Sequence, residues 1–207
     1  MLRTMSAATA QRTQARQSRE QTRERIIAAA AELLRTRSYA QLTVDEVMRE
    51  AGHGRTIFYR HFDDLPDLLA RSSREAIEAL YAAQSVFADS GQAAQPGAVR
   101  HAIEPAVDVY LHHGPLLRGV AEGAMVDPRL AEGHATLRRR FDALAAQAIL
   151  AIPQADRRAL RDVAQTARAL NIMNEQYLLD AFGREPRVTA EKAVETLTEI
   201  WFAVIRG

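Results

Sequence analysis

Apolar side chains recur along most of this chain with a period near 3.6 residues, the spacing of helices that bury one face. Ile26, Ile27, Ala30, Leu33 and Leu34 place an amphipathic helix over about 18–37. After a connection at 39–42, Thr43 stands as an N-cap, and Glu46 three residues later completes a capping box. Val44, Val47, Met48 and Ala51 form the inner face of a short second helix. Gly52 follows where a helix terminus wants a residue with positive φ. A third short helix is predicted over about 54–61 with Ile57 and Phe58 inward, and a long fourth from Leu65 or Pro66 through Leu80 and Tyr81 to about Asp89. The helical pattern fades over 89–97. It resumes at about 98–112, 115–125, 128–151, 154–182 and 190–206, with Gly114-Pro115, Asp127-Pro128, Pro153, Gly183 and Pro186 as punctuation. Pro105 is expected to kink or split the fifth helix. With no alternating strand, hairpin dipeptide or repeat, the predicted fold is all-α with about nine helices.

Composition narrows the function classes. The 207 residues suffice for one large domain or two small ones, and 47% hydrophobic with 26% charged residues is ordinary for a globular protein. The most apolar stretch, 143–152, is interrupted by Gln147 and ends at Pro153, well short of the ~20 residues of a membrane span. The basic start leads into polar residues and not into a signal sequence, so the expectation is a cytoplasmic protein with no membrane contact. Cysteine is absent, which removes disulfides, thiolate nucleophiles and zinc–thiolate sites. An all-α enzyme is a weak alternative, because there is no nucleotide-binding glycine motif, no H-E-x-x-H and no nucleophile-elbow serine. His101, Glu104, Asp108 and His112 share a helical stripe, but Pro105 distorts it and adjacent charges usually mark a wet face. No catalytic residue, metal or cofactor is expected.

Charge is distributed unevenly. A net +1 resolves into +5 over 1–62, from 11 arginines and 6 acidic residues, and −4 over 63–207. Much of the excess lies in residues 1–18 and just beyond (Arg12, Arg16, Arg19, Arg23), a stretch without apolar periodicity that reads as a flexible basic arm suited to phosphates or an adjacent minor groove. Residues 43–62, TVDEVMREAGHGRTIFYRHF, have the layout of a helix-turn-helix: a capped helix, a glycine-containing turn and a short helix exposing polar and basic groups. Such a pair fits a major groove. The helix starts at Thr43 and Gly54 offer free N–H groups to phosphate. Arg55 suits a bidentate contact with guanine and Thr56 a thymine methyl, while Tyr59, Arg60 and His61 suit the DNA backbone.

The phrase T-V-D-E-V-M-R-E-A-G, then F-Y-R-H-F and L-P-D-L-L, resembles the N-terminal domain of TetR-type transcriptional repressors over about Thr22–Leu80. That family usually has Val-Ser where His53-Gly54 stand, and often lysine where Leu65 stands. The stretches ALNIMNEQYLLDAF (169–182) and EIWFAVIRG (199–207) look like the mycobacterial branch of the family that regulates ethionamide activation. The resemblance implies three parts: the arm at 1–18, a DNA-binding domain at 19–64, and a ligand-binding and dimerisation domain at 65–207. It also implies a repressor released from palindromic double-stranded operator DNA by a small apolar ligand. Tyr110, Phe141, Asn171, Asn174 and Trp201 would be its ligand contacts, and Val99 and His134 fall at positions that are tryptophan in that branch. The homodimer would form through the eighth and ninth predicted helices, apolar through Ile172, Leu178, Leu179, Leu197, Ile200 and Val204. An architectural or ligand-independent DNA-binding protein is the alternative.

Overall fold

The structure is a computed structural model that describes residues 2–89 and 97–206; the connection predicted at 90–96 and the side chain of Arg12 lie outside the described residues. Among the described residues it holds eight α-helices: α1 (Leu2–Thr36), α2 (Val44–Glu50), α3 (Arg55–Phe58), α4 (Leu65–Asp89), α5 (Ala98–Gly123), α6 (Pro128–Ala151), α7 (Val163–Phe182) and α8 (Ala190–Ile205). Single 3-10 turns occupy Tyr39–Gln41 and Gln154–Asp156. The described residues form no strand, only an isolated bridge between Arg157 and Arg206.

Four local expectations change. Residues 2–18, read as an arm, continue α1 as helical turns that are exposed over 13–21. Their alanine, glutamine and arginine are good helix formers, and neither proline nor glycine intervenes. The third helix is a single turn, Arg55–Phe58, continued to Phe62 by turn hydrogen bonds such as His61 N–H to the Phe58 carbonyl, 2.8 Å. The eighth predicted helix begins at Val163 and not near 154, because the Asp162 side chain caps it by accepting from the Gln165 N–H. The fifth and sixth predicted helices are one, α5, running through both Pro105 and Pro115. An internal proline costs about 3 kcal/mol; the unbroken buried run Gly114, Pro115, Leu116, Leu117, Arg118, Gly119 outweighs it.

Gly114 is a site of contact and not a helix stop. A β-carbon there would collide with the Phe182 carbonyl at the end of α7, and one at Gly119 would come within 2.9 Å of Leu34 on α1. Between these two glycines lies Arg118, only 8% exposed. Its Nε donates to the Gly183 carbonyl (2.8 Å), and its Nη2 donates to the carbonyls of Arg37 (2.7 Å) and Leu34. Its Nη1 meets Glu122, whose other oxygen accepts from the Tyr39 N–H at 2.6 Å. The last carbonyls of two helices, α1 and α7, have no donors within their own helices. One guanidinium serves both.

Two apolar clusters result. The first joins Ile26, Leu34, Val47, Met48, Phe58, Phe62, Leu68 and Leu69 with Leu116 and Leu130; the second joins Leu80, Ile103, Val107, Ile149, Leu178, Phe182, Leu197 and Trp201. Leu178 and Leu197, expected at a dimer surface, are therefore inside this chain's own core, whereas Ile200 and Phe202 on α8 stay exposed. Helices α4, α5 and α6 contribute to both clusters. The close approach at Gly114 yields a prediction. Gly114→Ala should lower the unfolding free energy by about 2–3 kcal/mol, since overpacking against backbone cannot relax by side-chain rotation. Urea unfolding with an unchanged m-value would register it.

Candidate DNA-reading face and ligand cavity

The helix-turn-helix is set by its caps. Thr43 Oγ1 accepts from the Glu46 N–H (3.2 Å) and donates to Glu46 Oε2 (2.8 Å), closing one side of the box expected there, while Arg37 grips Glu46 Oε1 at 2.5 Å. At the other end Gly52 has φ +72°, its N–H bonds the Arg49 carbonyl (3.2 Å), and the His53 N–H bonds that of Met48 (2.9 Å). This double closure is a Schellman motif, which fixes the turn into α3. Phe58 and Phe62 beneath α3 are 0% and 1% exposed and stack at 5.7 Å, so the reading turn has a rigid floor.

Above that floor Thr43, Gly54, Arg55, Thr56, Tyr59 and Arg60 are all exposed, with Tyr59 at 50%. Arg55 Nη2 donates to the Tyr59 hydroxyl (3.0 Å), and Arg55 Nη1 lies 3.3 Å from Asp45 on α2. The remaining candidates form a basic edge. Arg19 of α1 donates to the Arg60 carbonyl (3.1 Å), and Arg71 of α4 donates to that of His61 (2.9 Å). Burial, with Arg19 and Arg23 adding repulsion, holds the His61 pKa below that of a free imidazole. Its neutral form therefore belongs to the fold. That contribution is complete above the unfolded value of about 6.5 and is lost as pH falls from there through the lowered folded value; a phosphate beside His61 would act in the opposite sense.

The ligand candidates lie elsewhere and do come together. A cavity of about 420 Å³, within the usual range of small-molecule sites, is lined by Tyr110, Phe141, Asn171 and Asn174 along with Ile77, Leu80 and Leu178. A second, of about 80 Å³, is lined by Trp201 and Val99. Gln84, Asn171 and Asn174 form walls of both. Asn174 Oδ1 accepts from Trp201 Nε1 (2.9 Å), and Asn171 Nδ2 donates to Asp142 (3.0 Å), so each amide has a partner while bordering open space. Tyr110 is partly buried on the cavity wall; burial, and then Glu175, raises its pKa, so it remains a neutral phenol.

Sequence reasoning missed the ionised part of the wall. Glu175 Oε1 lies 2.5 Å from His134 Nε2, and Glu175 Oε2 lies 3.2 Å from Arg138 Nε; Asp142 lines the cavity as well. The signal available was position: Glu175 is one helical turn from Asn171 on α7. Arg118 was missed too, having no neighbour in sequence to distinguish it. Among the described residues no group of three or more His, Cys, Asp or Glu is placed to hold a metal, and no helix is long and apolar enough to cross a membrane.

Residues 26–71 match bacterial regulatory proteins of the tetR family, and residues 99–207 match the C-terminal domain of the transcriptional regulator EthR. The HTH-type transcriptional regulator EthR of Mycolicibacterium smegmatis is 30% identical over 200 residues, covering 95% of this chain and 91% of that one. EthR of Mycobacterium tuberculosis is 28% identical over 187 residues, 88% and 86% of the two chains. Among solved structures, the TetR family transcriptional regulator PfmR from Thermus thermophilus shares the fold with a TM-score of 0.72 at 21% identity, covering 89% of this chain and 96% of that one. The chain belongs to the TetR family of bacterial DNA-binding transcriptional regulators, in the branch typified by EthR.

Proposed function

We propose that this regulator is a homodimeric repressor that an apolar small molecule in the 420 Å³ cavity releases from a palindromic operator. The observation that carries the reading is Leu130, a residue of the cavity wall that is also part of the apolar cluster beneath the helix-turn-helix. Ala70 of α4 is similarly shared. A ligand that widens the cavity therefore pushes on the surface that orients α2 and α3. Coupling requires only that it bind the DNA-incompetent arrangement better, and differences of about 1–3 kcal/mol are typical. Arg129 at the start of α6 reinforces the link by gripping Asp64 Oδ2 at 2.8 Å, just ahead of α4.

On DNA, Arg55 and Thr56 read bases, and Thr43, Gly54, Tyr59, Arg60 and His61 position the sugar-phosphate backbone. Two recognition turns must meet major grooves on one face, so half-sites are spaced by about 34–36 Å or a multiple. Dimerisation uses the exposed outer faces of α7 and α8. Residues 1–18, 19–64 and 65–207 act as basic extension, DNA-binding domain and effector domain.

Two outcomes are expected. Arg55→Ala should weaken binding to the intergenic DNA beside the protein's own gene by about 1–3 kcal/mol, the worth of one bidentate base contact, in fluorescence anisotropy at fixed salt. An unchanged affinity would place base reading on another element. Phe202→Glu, on the 54% exposed apolar position of α8, should shift the light-scattering mass from dimer to monomer. A dimer that survives both this change and Ile200→Glu would move the interface off α8.

A further inference from the structure

The ionised groups lining the larger cavity are unequally paired. Arg138 is matched with Glu175, Arg140 with Glu78 at 2.8 Å, and Arg129 with Asp64 at 2.8 Å, while Arg74 is exposed. Glu175 has His134 as a second neighbour. Asp142 is different. It is partly buried, no ion pair to it is found among the described residues, and its one hydrogen bond there comes from the neutral amide of Asn171. A carboxylate taken partly out of water without a cation is a costly arrangement that a positive ligand relieves. Tyr110, partly buried, lines the same cavity, and no hydrogen bond to its hydroxyl is found among the described residues, so that hydroxyl is open to an occupant. Phe141 adds an aromatic wall, a surface that attracts ammonium groups.

We propose that the effector is an amphiphilic amine, an ammonium group on an apolar chain, with Asp142 as its counter-ion and Ile77, Leu80, Phe141 and Leu178 around its apolar part. The inference rests on the cavity being the effector site. An anionic amphiphile fits less well, because Asp142 would repel it and Arg129, Arg138 and Arg140 already have carboxylate partners, Arg74 being exposed. A neutral one would leave Asp142 without a counter-ion.

Trp201 is the only tryptophan in the chain, and its indole is bonded to the Asn174 wall, so its fluorescence reports occupancy. The full chain is titrated at neutral pH with octylamine, 1-octanol and octanoate, and operator release is followed by anisotropy in the same samples. Octylamine should bind about tenfold more tightly than 1-octanol, as expected for one charge-assisted contact, with octanoate the weakest. Asp142→Asn keeps an oxygen for Asn171 and should bring octylamine down to the affinity of 1-octanol. The three-ligand comparison in the unmutated chain stands independently of how that variant folds. Equal affinities for octylamine and 1-octanol, or a preference for octanoate, would overturn the amine and leave the cavity as effector site. No fluorescence change and no operator release with any of the three would overturn both.

Discussion

The arrangement of both halves depends on one buried guanidinium. Arg118 donates to terminal carbonyls of α1 and α7 that have no donor within their own helices, and it lies between the C-terminal ends of the two. Glu122 completes the network by neutralising the charge and accepting from the Tyr39 N–H in the connection that leads to α2. Desolvation lowers the Arg118 pKa and Glu122 opposes that, so a residue that stays protonated in proteins remains the donor here. Close packing around it needs glycine. Gly114 lets the end of α7 approach and Gly119 admits Leu34 and Leu69, so the backbone of α5 is a common wall for both clusters.

The same geometry joins the cavity wall to the apolar cluster under the reading turn. The single helix α4 carries Leu68 and Leu69 into the cluster under the reading turn and Leu80 into the other, with Ile77 on the cavity wall between. Arg140 on α6 holds Glu78 in a two-toothed ion pair of 2.8 and 3.1 Å and sits 3.9 Å over the Tyr81 ring, tying α4 to the opposite wall. Under the proposed function, displacing that wall would tilt α4 as a unit. Interiors packed without slack transmit such displacements instead of absorbing them.

What could be read from the sequence was what local chemistry decides. The Thr43 cap and the positive φ of Gly52 depend on a few adjacent residues, and both stand in the structure as expected. The resemblance to TetR-type regulators rested on the same segment, and the comparisons sustain it. Gly114-Pro115 misled for the opposite reason. As a dipeptide it signals a break, but its meaning here is set by Phe182, far along the chain. The amphipathic pattern of the last two helices likewise located apolar faces without saying which residue meets the core and which the solvent: Leu197 went in, Ile200 out. Tyr110, Phe141, Asn171, Asn174 and Trp201 were carried by resemblance, and they do border cavities. Asp142 and Arg118 depend on contacts among distant helices and left no local trace, and Glu175 left only its position one turn from Asn171.

The charge asymmetry of the chain takes a more definite form at the reading turn. Net basicity at the N-terminal end comes mainly from α1, so α2 and α3 must recognise DNA by geometry more than by field. Arg55 shows how. Its partner Asp45 is 59% exposed, as is Arg55 itself, and pairs of that kind contribute little to stability because water competes for both ends. On the proposed reading, leaving Asp45 for a guanine edge would therefore cost little. The pair, together with the Tyr59 hydroxyl, still restricts where the guanidinium rests before DNA arrives, and so reduces the side-chain entropy lost on binding. The rigid floor of Phe58 and Phe62 does the same for the backbone of a one-turn helix too short to hold itself. Under the proposed function, an exposed, weakly held arginine on a firmly held turn would be orderly enough to find a base and loose enough to be withdrawn as α4 moves.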